Sequence, residues 1–370
     1  MLKTSQTLQT PSVECLLKLW AQRYVLNFSS VSDRTLLLLA NSSQGRTLTT
    51  NKLKDHVLDL NCQMAWIQTK TLYNYIGNIL DLNEARRITQ FAFRVYKKLL
   101  EVYQKHSLQE DAFPTETVES PLVPGLSVSQ MKELVYALEP TLMVFQEQHQ
   151  VSKDWRSLGF MTTQLNFSNS LILNKLTSVE QVLLSPYLKF IEEQVSSPWQ
   201  RVCNAAAKYE LDSPTLIIVE QLFPAAEEIA QAVYKRLAHL LPNHHSRRGA
   251  LSDPGIAHSC IRDLTMFQSY LWLCFLQGTL SPIEQELLPL CVMVVEGVEI
   301  KWELTQKWCQ VLADEIIRRV DSEQKALLLP YTQGMHEIFL KQRRRLGFSE
   351  ENSVDTVGSN STGNGFSQMI

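Results

Sequence analysis

A chain of 370 residues with 45% hydrophobic content carries enough apolar material for two or three packed domains, so a globular protein is expected. Its 35 basic residues stand against 38 acidic ones, a formal net charge of -3, and no global field marks it as a binder of nucleic acid or of an anionic membrane surface. The seven cysteines (Cys15, Cys62, Cys203, Cys260, Cys274, Cys291 and Cys309) are odd in number and widely spaced. With no CxxC pair, HExxH motif or clustered Cys/His spacing, they argue against a disulfide scaffold and structural zinc, and for a reducing compartment.

The opening "MLKTSQTLQTPSVECLLKLW" lacks the basic region, apolar run and small-residue cleavage site of a secretory signal. The longest apolar runs, "TLLLLA" and "LWLCFL", fall far short of the roughly 20 residues of a bilayer span. A soluble, cytoplasmic chain with no transmembrane segment is the expectation. Within residues 1–106, "KLKDHVLDLNCQMAWIQTKTLYNYIGNIL" and "LNEARRITQFAFRVYKKLLEVYQK" space their apolar residues by three and four. Ile88, Phe91, Val95, Leu99 and Val102 form one such stripe, the mark of an amphipathic helix. This region reads as a helical unit of its own.

Residues 107–130 hold three prolines and four acidic residues and read as a linker. A helical connector follows over 131–176, and then a series of helices whose ends are marked by caps. Pro224 starts a helix carrying Ile229, Val233, Leu237 and Leu240 on one face, and Pro242 stops it. After the turn-rich "PNHHSRRGALSDP", Asp253 caps a helix that opens on Pro254 and ends at Gly278. Ser281, Pro282 and Glu284 suggest a capping box for the next helix, in which Pro289 predicts a kink. Residues 321–348 read as a C-terminal helix whose basic end, "KQRRRLGF", is a solvated helix terminus. The Gly/Ser/Asn-rich tail, 349–370, cannot bury enough apolar surface to order itself. With no period-two stretch and no fixed repeat, the class is all-α, packed at globular angles.

On the helix of 254–277, Cys260, Asp263, Phe267, Leu271 and Cys274 share one face. A carboxylate among a thiol and an aromatic ring leaves two readings open. Either Cys260 is a small buried hydrophobe with Asp263 at the edge of the face, or the pair meets a ligand. Cys291 and Cys309 read as core, and Trp272, Trp302 and Trp308 as core or interface anchors.

The stretch Cys260-Ile261-Arg262-Asp263, followed by Phe267, Gly278 and Ser281-Pro282-Ile283-Glu284, resembles the chromophore helix of phycobiliproteins, the bilin-carrying subunits of phycobilisomes. The resemblance extends over 177–320 and implies a globin-like domain there, with a separate helical N-terminal region ahead of it. It further implies that the Cys260 thiol forms a thioether with a linear tetrapyrrole. Asp263 would accept from pyrrole N–H groups, Arg262 would pair with a propionate, and Phe267 would pack on the pigment. Arg262 sits about 200° around the helix from Cys260, so only a long side chain could wrap back to the same ligand. The sequence departs from the family where basic residues are common ahead of the cysteine, here Gly255 and Ile256, and at Met266, where an aromatic is frequent. Arg247 and Arg248 in the preceding loop could supply the missing propionate contacts.

Implied with the fold are a cyanobacterial setting, light harvesting, energy transfer or pigment handling without enzymatic turnover, and partners of the same fold or other phycobilisome components. Peripheral thylakoid association through the antenna goes with these. The rival is a non-pigmented regulatory or interaction protein on the same scaffold. Haem held by His258 or the His244-His245 pair is a minor alternative. No nucleophile–base pair or phosphate-binding glycine loop supports an enzyme.

Overall fold

The computed structural model describes residues 10–27, 34–54, 56–73, 82–106, 122–152, 155–297 and 299–347. Among them are fifteen α-helices, one π-helical turn and two small antiparallel ribbons, an all-α architecture. The tail 349–370 lies outside the described residues.

Helix α1 (Pro11–Ala21) begins where Thr10 Oγ1 accepts the Val13 N–H, and buries Val13, Leu16, Leu17 and Trp20. Strand β1 (Val25–Asn27) follows, then α2 (Arg34–Asn41), α3 (Ser43–Lys52), α4 (His56–Leu72) and α5 (Leu82–Lys105). The stripe read on α5 is buried in full, with Val95 and Leu99 wholly inaccessible. Of the segment read as a linker, only residues 122–130 are described. Residues 107–121 lie outside the described residues, whereas Leu122–Pro124 forms β2, paired antiparallel to β1 with Pro124 opposite Val25. Pro124 closes the strand, and the next amide, Gly125 N–H, donates to the Tyr24 carbonyl. Helix α6 (Val128–Ser152) starts within the same stretch, and α7 (Trp155–Leu173) follows it.

Helix α8 (Ser178–Ser196) opens on a capping box between Thr177 and Glu180. After α9 (Trp199–Ala206) and α10 (Pro214–Leu222) comes α11 (Ala226–Leu240), which begins two residues beyond the Pro224 predicted to start it. Ile229, Val233 and Leu237 are buried as read, but Leu240 is 47% exposed because the last turn runs past the core. The hairpin of β3 (His245–Ser246) and β4 (Gly249–Ala250) leads into α12 (Pro254–Gln277). Asp253 holds the cap position, yet its carboxylate accepts the Ala250 N–H and not an amide of its own helix. Gly278 ends α12 in the left-handed region at φ 69°, with its N–H and that of Thr279 turned back to Cys274 and Phe275 carbonyls.

The capping box expected at Ser281 does not form. Leu280 receives the first amides, those of Ile283 and Glu284, and the Ser281 N–H donates to Thr279 Oγ1. Pro289 is preceded by a π-helical turn (Ile283–Leu287), in which the Leu288 N–H reaches five residues back to the Ile283 carbonyl. The wide turn is how the chain carries a proline into α13 (Leu288–Gly297). Helices α14 (Trp302–Ile317) and α15 (Ser322–Arg345) complete the chain, and Arg343, Arg344 and Arg345 lie in the last turn of α15, where its dipole favours cations.

One connected apolar cluster runs from Val13 to Phe339. Helix α12 lies inside it, packed by α9, α10, α11 and α15. Helix α7 meets α4 and α8 on the N-terminal side and α13 on the other, so the second turn of α12 sits where early and late helices converge. Among the described residues no helix is long and apolar enough to cross a membrane.

Candidate functional site

Cys260 is 9% exposed on the second turn of α12. Burial, reinforced by the charge of Asp263, pushes its thiol up to about 12, so it is an S–H group at neutral pH. Arg262 is held between two carboxylates. Its Nε and one terminal nitrogen donate to the same Asp263 oxygen at 2.9 and 2.7 Å, and the other terminal nitrogen lies 3.5 Å from Glu192 of α8. Burial alone would lower the Arg262 pKa, but the two carboxylates more than offset it and hold the guanidinium firmly charged.

Glu192 is fixed from its far side. The side-chain amides of Asn166 and Asn169 on α7 donate to it at 3.4 Å each, and Asn169 in turn accepts the Tyr96 hydroxyl at 2.7 Å. A polar chain thus runs from α5 through α7 and α8 to the cysteine helix.

Two cavities flank Arg262. The smaller, of 150 Å³ and open to solvent, is lined by Cys260, Arg262, Asp263, Phe267 and Arg248, together with apolar residues of α13 and α14 and with Tyr73 and Thr163. Five of the six residues singled out from the sequence therefore meet on one cavity wall. The sixth, Arg247, does not: it is exposed and paired with Glu299. The larger, an open cleft of 670 Å³ between α7, α8 and the start of α12, is lined by Glu192, Asn166, Asn169 and His258. Arg262 and Arg248 line both cavities, whereas Cys260 lines only the smaller.

Phe267 packs its ring 5.8 Å from Trp308 and 5.5 Å from Phe339. Trp272, Trp302 and Trp308 are all core, as is Cys309, while Cys291 is half-buried on the wall of the 150 Å³ cavity. Among the histidines of the described residues, His258 lines the cleft. His244 lines neither cavity, and burial, with help from Lys301, lowers its pKa. Among the described residues no group of three His, Cys, Asp or Glu side chains could hold a metal ion.

Glu192, Asn166, Asn169 and Tyr73 were not found from sequence. They lie about 70 to 190 positions from the cysteine, and no local pattern carries a contact made only by helix packing. No protein-family model matches the chain, and neither a curated protein nor a solved structure is similar to it.

Whether a linear tetrapyrrole fits is decided by donors and by volume. A thiol, a carboxylate one turn on and two guanidiniums suit such a ligand. The 150 Å³ cavity falls below the roughly 300–1,000 Å³ of sites that bury drug-sized molecules, and the 670 Å³ cleft falls within it. The donors at Cys260 suit the group, and the 150 Å³ cavity there is too small to bury it whole.

Proposed function

We propose that the chain is a divergent phycobiliprotein-like protein that binds a bilin by a thioether at Cys260 and serves light harvesting, energy transfer or pigment handling in the phycobilisome, without turnover. The observation that carries this reading is the convergence of Cys260, Arg248, Arg262, Asp263 and Phe267 on one cavity. Cys260 would supply the thiol that adds across an exocyclic double bond, its proton passing to the neighbouring carbon. Asp263 would accept from pyrrole N–H groups, Arg262 and Arg248 would hold carboxylates, and Phe267 would stiffen the wall against motion that dissipates excitation. Arg247, held by Glu299, takes no part. A globin-like domain over 177–320, a cyanobacterial cytoplasm, contact with thylakoids through the antenna and partners of the same fold belong to this proposal.

A non-pigmented regulatory or interaction protein is the second reading. It is favoured by the protonated, buried thiol and by the small volume at Cys260 itself. Haem at His258, which lines the larger cleft, is the minor alternative.

Co-expression with a bilin-producing pathway separates them. Visible absorption, with zinc-enhanced fluorescence of a denatured band that disappears in Cys260→Ala, is the expected result. A colourless wild-type chain would overturn the pigment reading in favour of the second. A haem-like band that survives Cys260→Ala would overturn it in favour of the third.

A further inference from the structure

Helix α4 presents apolar side chains on two sides. Its inner face, with Leu58, Asn61, Cys62, Ala65 and Thr69 buried, packs on α5 and α7, and the Cys62 carbonyl accepts the side-chain amide of Gln164 from α7. On the outer face Leu60, Met64 and Ile67 are 45%, 43% and 62% exposed, and with Thr71 they follow one another at steps of four, three and four residues. At about 100° per residue the four fall within an arc of about 60°, the alternation of a coiled-coil seam. A surface helix ordinarily turns charged residues to water. Here the exposed residues from Leu60 to Thr71 carry one charge, Lys70, which lies about 90° round the helix from the middle of the seam. Asp59 is half-buried and its carboxylate accepts the Gln63 amide at 2.7 Å.

Such a face offers a charged partner no ion pair, and a bilayer surface calls for a broader apolar face flanked by several cations. Its complement is another neutral seam of the same spacing, and a second copy of the chain brings one. Paired about a two-fold axis, the patch meets itself and sets no like charges opposite each other within the seam. The three apolar side chains leave on the order of 300 Å² to be covered on each copy. With Gln63, Gln68 and Thr71 at its edges, the area lost by two copies comes to about 1,000 Å², the lower bound for a specific interface. An area of that size makes a reversible dimer and not an obligate one.

We propose that the outer face of α4 is a homodimer surface, on which the seam of Leu60, Met64 and Ile67 packs against the same seam of a second copy. The surface lies outside residues 177–320, and the inference holds whether or not Cys260 carries a pigment.

The test is sedimentation equilibrium of the full-length chain between about 1 and 100 µM, a range that brackets the affinity of an interface this small. The wild type should pass from monomer to dimer across that range, equally at about 0.05 and 0.5 M salt because no ion pair holds the seam. Met64→Glu with Ile67→Glu, and separately Met64→Lys with Ile67→Lys, set like charges across the seam. Each pair of substitutions should raise the dissociation constant about a hundredfold or more and leave a monomer. Both positions are exposed, so circular dichroism of the variants should match that of the wild type. Mixed in equal amounts, the acidic and the basic variant should pair with each other at low salt and separate as salt is raised. Leu240→Lys, at an exposed leucine of α11, should dimerise as the wild type does.

A wild type that stays monomeric at about 100 µM would overturn the proposal and leave the face to an apolar helix of another protein. Undiminished dimerisation of both charged variants would overturn it by placing the contact elsewhere. A dimeric wild type whose acidic and basic variants fail to pair with each other would also overturn it, because the seam would then meet a different part of the second copy.

Discussion

Glu193 shows what a single residue contributes. One of its oxygens accepts the Trp20 indole N–H at 3.0 Å and the Tyr24 hydroxyl at 2.6 Å, and the other accepts Arg23 at 2.9 Å. Burial, then the charge of Glu193, raises the Tyr24 pKa well above its usual value, so the phenol remains a donor. Glu193→Ala would strand a buried guanidinium and should lower stability by about 3–5 kcal/mol in urea unfolding, with Glu193→Gln costing less because an acceptor remains. A loss below about 1 kcal/mol would mean that Arg23 swings out to solvent. The sequence makes part of this chemistry visible and hides the rest. Asp263 and Phe267 could be placed beside Cys260 because helical periodicity fixes which residues share a face. Arg46, in the polar stretch "SQGRTLTTNK", carries no such local signal: it is 1% exposed and bonded to Asn41, the Tyr103 carbonyl and Tyr187.

At the scale of the element, starts and stops with a steric cause were legible. Pro254 opens α12 because its missing N–H would be unpaired there in any case, and Gly278 closes it in a conformation that other residues enter only under strain. An added Cβ at Gly278 would meet only the Tyr331 hydroxyl, at 3.9 Å, so crowding is not the obstacle. Gly278→Ala should therefore cost about 1 kcal/mol from backbone strain alone, read as a lower midpoint in thermal or urea unfolding. A neutral result would show that the helix can end one residue earlier or later. Ends decided by competing side chains were less legible. Ser281 loses the cap to Leu280 because Thr279 takes its amide, and Asp253 spends its carboxylate on Ala250.

For the molecule as a whole, the period of the apolar residues was enough to give the all-α class, but not the way its helices meet. Helix α1 packs against α9 and α10, and the Trp20 ring lies 3.9 Å from that of Trp199. With Glu193 tying the same region to α8, early and late helices share surfaces that neither could expose to water without penalty. Unfolding followed by tryptophan fluorescence and by circular dichroism should give coincident, single transitions. Two separated transitions would instead support an N-terminal region that folds on its own.

The π-helical turn at Ile283–Leu287 also sets a phase. One extra residue in a helix turns everything beyond it by about 100° relative to a regular α-helical continuation. Cys291, Val294 and Val295, all beyond the turn, line the Cys260 cavity. That wall therefore depends on a single inserted position, and removing one residue from the turn would rotate all three away together while leaving every lining residue in the sequence.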